Sequence, residues 1–162
     1  MQVALTVEEG VALALAVQTL PPFIGPVRGE GRSVLVDVDL AAIPDVPTLA
    51  RLSFAAVGSV TIRAALIGYD GDVATFELQA EARGLPAHRL LNHLTDTISD
   101  RLRANGLPDD LVELHPGPRA PLARVHVQQA IDARVRGLSL ATLDVRDGVV
   151  HAGVTVGDVA LH

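Results

Sequence analysis

The sequence predicts an α+β domain: an antiparallel sheet of about five to seven strands, with a long amphipathic helix and one or two further helices packed on one face. Three observations predict it. Runs of alternating apolar and polar residues recur along the chain, pairs of such runs flank Asp-Gly turns, and one long stretch repeats its leucines with helical period.

Gln2–Leu5 reads as a short strand, and Thr6 opens a helix. Thr6 and Glu9 have capping-box spacing, in which hydroxyl and carboxylate each satisfy an orphan backbone N–H. From Val7 to Leu20 the helix is apolar on nearly every side, with Val11, Leu13, Leu15 and Val17 distributed around its axis. Such a helix is expected to be buried on most faces or to lie in an interface between copies. Pro21 and Pro22 stop it. Gly25, Gly29 and Gly31 come next among prolines and charges, with a strand rather than a helix after them. That order is the reverse of a phosphate loop and reads as a flexible lead.

Ser33–Leu40 alternates, with Val34, Val36, Val38 and Leu40 on one side and Ser33, Asp37 and Asp39 on the other; only Leu35 breaks the polar set. This is the pattern of a strand with one face toward water. Pro44 and Pro47 then mark a loop or a short helical turn.

Ser59–Gly68 and Asp72–Ala82 form a hairpin. A two-residue Asp70-Gly71 turn sets Ile62 opposite Gln79 and mixes core with solvent. A three-residue loop, Tyr69-Asp70-Gly71, pairs Val60 with Ala80, Ile62 with Leu78, Ala64 with Phe76 and Leu66 with Ala74. It also puts Arg63 opposite Glu77. The alternation therefore selects the longer loop, with Gly71 at the left-handed position of a bulge.

Pro86–Asn105 is predicted as the long helix. Ala87, Leu90, Leu91, Leu94, Ile98 and Leu102 make one stripe, Pro86 sits in the first turn and Gly106 is the terminating glycine. Leu111–His115 reads as a strand, His115–Pro121 as a connector, Ala123–Val127 as extended and Gln128–Val135 as a short helix ending at Gly137. A second hairpin, Leu138–Arg146 with Val149–Val156, closes the chain. Its two-residue Asp147-Gly148 turn pairs Val145 with Val150, Leu143 with Ala152, Ala141 with Val154 and Asp144 with His151.

Composition narrows the function classes. The chain is 49% hydrophobic but only 2% aromatic, its rings being Phe23, Phe54, Tyr69 and Phe76. Ala, Val and Leu give a smooth interior with few rings for gripping a ligand or stacking on a base. Mean hydropathy is +0.35 even though 20% of residues are charged, which calls for a large interior or an apolar surface covered by a ligand or a second copy. The 162 residues suit one domain, 1–162. The uncharged stretch Gly10–Val27 is broken by Pro21, Pro22, Gly25 and Pro26, so no transmembrane segment is expected. Glu8 and Glu9 stand where a signal peptide carries positive charge, and the expected location is cytoplasmic.

The absence of Cys excludes disulfides, thiolate metal sites and a Cys nucleophile. All 13 basic residues are Arg, which removes P-loop and Schiff-base lysines. A net charge of −6 without a basic stripe argues against a nucleic-acid partner.

Few residues suggest chemistry. His93, Asp96 and Asp100 share a helical stripe that suits a divalent cation, but the same stripe is the wet side of an amphipathic helix, and no metal site is expected. Asp144 and His151 resemble an orienting carboxylate and a base, but no nucleophile stands beside them, so cross-strand charge pairing is the better reading, as for Arg63 and Glu77. Asp109 and Asp110 after Pro108 read as a turn. No catalytic residue and no cofactor is expected.

What remains is an apolar cluster. Ile62, Phe76 and Leu78 of the first hairpin are expected beneath Leu91, Leu94 and Ile98 of the long helix, either as plain core or as the walls of a gap for an acyl chain or another apolar molecule. The sequence thus points to a non-enzymatic binding module with an apolar, lipid-like small-molecule partner. The alternative is a self-associating scaffold domain, a homo-oligomer joined through residues 7–20.

Overall fold

A computed structural model describes residues 1–15, 20–44, 48–81, 95, 99–104 and 106–161. The fold is α+β, and the strands form two antiparallel sheets, of six and three strands. The chain order is β1 (Gln2–Thr6), α1 (Val7–Leu15), β2 (Ile24–Glu30), β3 (Ser33–Asp39), a 3-10 turn (Leu40–Ala42), α2 (Thr48–Val57), β4 (Ser59–Tyr69) and β5 (Val73–Glu81). Then come β6 (Val112–His115), β7 (Leu122–His126), α3 (Val127–Asp132), β8 (Val135–Arg146) and β9 (Val149–Leu161). The larger sheet runs β2-β3-β4-β5-β7-β6, and the smaller runs β1-β9-β8. The closing hairpin therefore builds its own sheet with the first strand instead of extending the large one.

Several ends are set by local chemistry. Thr6 N–H donates to Glu9 Oε2 (2.8 Å) and Glu9 N–H to Thr6 Oγ1 (3.0 Å), the predicted capping box. Residues 99–104 are helical. This segment ends in a Schellman motif: Gly106, at φ +69°, donates to the Arg103 carbonyl, and Leu107 donates to the Leu102 carbonyl. The remainder of the Pro86–Asn105 helix, apart from Thr95, lies outside the described residues.

The second hairpin turns at Asp147 (φ 53°) and Gly148 (φ 72°), both left-handed as a type I′ turn requires. Val145, Leu143 and Asp144 face Val150, Ala152 and His151 as expected. Ala141 does not face Val154, because the register shifts there and Leu140 takes its place. A bulge spends one residue of β8, a cost invisible to alternation alone.

The first hairpin departs further from expectation. Ile62 faces Ala80, Ala64 faces Leu78 and Leu66 faces Phe76, two residues away from the expected pairing. The loop is Gly71-Asp72 rather than Tyr69-Asp70-Gly71, with Asp70 N–H donating to the Val73 carbonyl (3.3 Å). A register shift between Leu66 and Gly68 takes up one residue and restores the parity that the shorter loop would break. A slip of two keeps each side chain on its face, so the alternation that fixed the faces could not fix the register. Arg63 consequently lies opposite Gln79 and reaches Glu30 (3.6 Å), while Glu77 meets Arg119 (3.9 Å). The expected Arg63–Glu77 pair is not made.

Three further readings are corrected. Gly25–Gly31 is not a flexible lead: β2 pairs with β3 through an irregularity between Ile24 and Val27. The segment after Pro47 is a ten-residue helix, α2, ending at Gly58 (φ +77°) and directing Phe54 into the core. The polar side of β3 is not uniformly wet. Ser33 and Leu35 are buried, Leu35 lying between Arg28 and Arg63 in register, where arginine stems shield apolar carbon.

Candidate functional site

Period-two alternation and the observed register place one set of side chains on a single face of the large sheet. Ile24 and Val27 come from β2, Val34, Val36 and Val38 from β3, and Val60, Ile62, Ala64 and Leu66 from β4. Ala74, Phe76, Leu78 and Ala80 stand beside them on β5, then Ala123 and Val125 on β7 with Val112 and Leu114 on β6. Tyr69 of β4, opposite Ala74, completes the set, and its hydroxyl, donated to the Leu140 carbonyl (2.8 Å), is the polar group on the described part of this face. Phe23, Leu40, Ile43 and Phe54 pack at one end of the face and close the main core there. At the other end Leu66 and Ala74 meet Val145 of β8, with Leu143 and Val150 beside them, so the small sheet leans its own apolar side against the large one.

The expected residues Ile62, Phe76 and Leu78 belong to this face. Leu78 is buried, whereas Ile62 and Phe76 are half-buried and pack against the main core. Phe76 also touches the second cluster, which makes it the ring between the two packed ends. Val36, Ala64 and Ala80 are likewise half-buried. Leu91, Leu94 and Ile98, the expected opposite wall, lie outside the described residues. The middle of the face thus offers an aliphatic surface with one ring. It can gain free energy by excluding water, about 25 cal/mol per Å² covered, but has no donor or acceptor to orient a polar group.

The opposite face of the same sheet is charged and internally paired. Arg28 holds Asp37 (3.0 Å), and Thr61 Oγ1 donates to the same carboxylate (2.7 Å). The Thr61 hydrogen bond, then that of Arg28, holds the Asp37 carboxyl below its ordinary value. On β6 and β7, Glu113 Oε2 stands 3.2 Å from His126 Nε2 and 3.6 Å from His115 Nε2, and the His126 contact holds the Glu113 carboxyl low. Sequence reading missed this trio, because it exists only once β6 and β7 are paired. Among the described residues no three His, Asp or Glu side chains form a set that could hold a metal ion.

The other titratable candidates are drawn apart. Asp100 pairs with Arg103 (3.3 Å), which also holds Asp109 (2.7 Å); His93 and Asp96 lie outside the described residues. Asp144 is opposite His151 in register, but its carboxylate is taken by Arg146 (2.9 Å) and Arg32 (3.7 Å). The charge partners are therefore arginines on its own strand and on the β2–β3 turn, not the facing histidine.

On α1, Val7 is buried and Leu13 is 66% exposed. The described part of the helix is not enclosed on most faces; its first turn is anchored by Val7 N–H on the Gly148 carbonyl (3.1 Å) and by Glu8 Oε1, which accepts from Gly29 N–H (3.2 Å). No helix among the described residues is long and apolar enough to cross a membrane. Comparison with protein-family models, curated proteins and solved structures finds no match for this chain.

Proposed function

We propose that this chain is a non-enzymatic binding module that holds an apolar, lipid-like molecule against the apolar face of its six-stranded sheet. The observation that carries the reading is the half-burial of Ile62, Ala64, Phe76 and Ala80 at the middle of a face whose polar group, the Tyr69 hydroxyl, sits at one end and is spent on the Leu140 carbonyl. Fully enclosed core positions of a plain sheet-and-helix domain bury such residues completely. A hydrocarbon chain suits the face, because affinity there comes from area alone and no polar group needs matching.

The test is native mass spectrometry of the purified full chain, followed by titration with a fluorescent C18 fatty acid. A co-purifying apolar adduct, or saturable one-to-one binding weakened by Ile62→Gln, supports the reading. A clean apo mass together with no saturable binding overturns it.

A further inference from the structure

A sheet edge presents unpaired N–H and C=O groups, and proteins blunt such edges. Nearly every edge described in this molecule is blunted. On β2, Pro26 and the irregularity between Ile24 and Val27 interrupt the ladder, and Gly29 N–H is taken by Glu8 Oε1 (3.2 Å). The edge strand β6 has four residues, two of them Glu113 and His115, and ends at Pro116. Side chains stopper β8: Gln128 donates to the Leu138 carbonyl (2.9 Å) and accepts from Leu140 N–H (3.0 Å), while Tyr69 donates to the Leu140 carbonyl (2.8 Å). The far end of β9 is bent by the register shift facing Arg136 and Leu138.

The exception is β1. Its sequence, Gln-Val-Ala-Leu-Thr, has no charge, no proline and no bulge, and its register with β9 is unbroken from Gln2 to Thr6. The bonds at either end, Val154 N–H to the Met1 carbonyl and Val7 N–H to the Gly148 carbonyl, set the alternation. Odd residues bond β9, so Gln2, Ala4 and Thr6 turn their backbone groups outward. Thr6 N–H is used by Glu9, leaving the groups of Gln2 and Ala4 facing solvent on exposed residues.

We propose that two copies of this chain pair through β1, edge to edge and antiparallel, about a two-fold axis at Ala4. The sequence is self-complementary about that residue. Ala4 faces Ala4 of the second copy, Val3 faces its Leu5, and Gln2 faces its Thr6. An isologous contact needs this property. Val3 and Leu5 share a face with Ala152 and Val150, so the pairing joins the apolar sides of two small sheets into one six-stranded sheet. The contact lies on the strand, not on the helix to which the sequence pointed, and it is independent of any ligand on the large sheet.

Sedimentation velocity from about 1 to 200 μM tests it, a range that spans weak, transient association. The parent chain is expected to move from monomer to dimer. Ala4→Pro removes an N–H that turns away from β9 and bonds nothing among the described residues, and is expected to keep the circular dichroism spectrum while staying monomeric. Should Ala4→Pro fold poorly, Ala4→Lys reads the same contact by placing like charges opposite each other, with at least about a tenfold rise in Kd. Because the chain has no Cys, Ala4→Cys gives one thiol per copy, and oxidation is expected to link the dimer covalently. A parent that stays monomeric, or a folded Ala4→Pro or Ala4→Lys chain that dimerises like the parent, overturns the proposal.

Discussion

The two hairpins turn on the same dipeptide and use it differently. In β8–β9, Asp147 and Gly148 are the loop, both left-handed. In β4–β5, Asp70 is the last paired position, and the loop is Gly71-Asp72, with positive φ at Gly71 (97°) alone. The difference lies in how each aspartate is bonded. Asp70 Oδ1 accepts N–H bonds from Asp72 (3.0 Å) and Val73 (2.7 Å), an Asx-type capture that pulls the loop one residue onward. The I′ turn at Asp147 is instead clamped from outside. Gly148 N–H donates to the Gly31 carbonyl (3.0 Å) and its carbonyl accepts from Val7 (3.1 Å). One turn is fixed by its own side chain, the other by its neighbours.

That contrast predicts unequal responses at the two glycines. A Cβ on Gly148 would meet the Gly29 carbonyl oxygen at 3.1 Å, with φ at +72°. Left-handed strain and overpacking add, so Gly148→Ala is expected to cost about 3 kcal/mol in urea unfolding. Gly29→Ala strikes the same contact from the other side, its Cβ falling 2.6 Å from the Gly148 oxygen. Gly71, by contrast, has open space around its Cβ, so Gly71→Ala carries only the backbone cost, about 1–2 kcal/mol. Equal losses at the two glycines would show that the clamp on the second turn contributes nothing.

Between these extremes lies the bolt that joins the hairpins. Gln128 N–H donates to the Asp72 carbonyl (3.3 Å) of the first turn, while its side chain bonds Leu138 and Leu140 of the second hairpin. Gln128→Ala removes these two bonds at a half-buried site, together with an exposed one to Asp132 (2.8 Å), and is expected to cost about 2 kcal/mol. Tyr69→Phe removes one, the hydroxyl donated to Leu140, for about 1 kcal/mol. In a double-mutant cycle the two losses are expected to be non-additive, because both side chains hold Leu140.

What the sequence made legible was local. Thr6 and Glu9, Gly106, and Asp147-Gly148 each act within a few residues, so their spacing announces the structure they make. The faces of the strands were legible too, and with them the common face of Ile62, Phe76 and Leu78. Registers were not. The Gly71-Asp72 loop moves the ladder three residues from the expected pairing and the Ile67 bulge takes one back, so the net slip of two leaves no trace in the alternation. Partners such as Glu30 for Arg63, or His126 for Glu113, depend on register and were lost with it. Helix α2 was hidden by Pro44 and Pro47, although Gly58 marked its end.

The smallest expected effect concerns Asp70 and is read by pH. Backbone N–H bonds from Val73 and then Asp72 hold its carboxyl below the ordinary value of 3.8, with Arg124 adding in the same direction. A folded-state pKa below the unfolded one means that folding favours the charged form. The resulting stability is present above the ordinary carboxylate range and is lost as pH falls through the lowered value. Asp37, Asp109 and Glu113 shift the same way, through Thr61, Arg103 and His126 respectively, so the parent chain is expected to lose stability steadily below about pH 4. Asp70→Asn keeps an acceptor oxygen but cannot titrate. It is therefore expected to be slightly less stable than the parent at about pH 6, with the gap closing as the parent's own Asp70 becomes protonated in acid. Urea titrations of both chains from neutral pH down through that protonation measure the gap directly. A gap that stays constant would mean that the charge on Asp70 does not hold the Gly71-Asp72 loop, and the first turn would then owe its register to the Ile67 bulge alone.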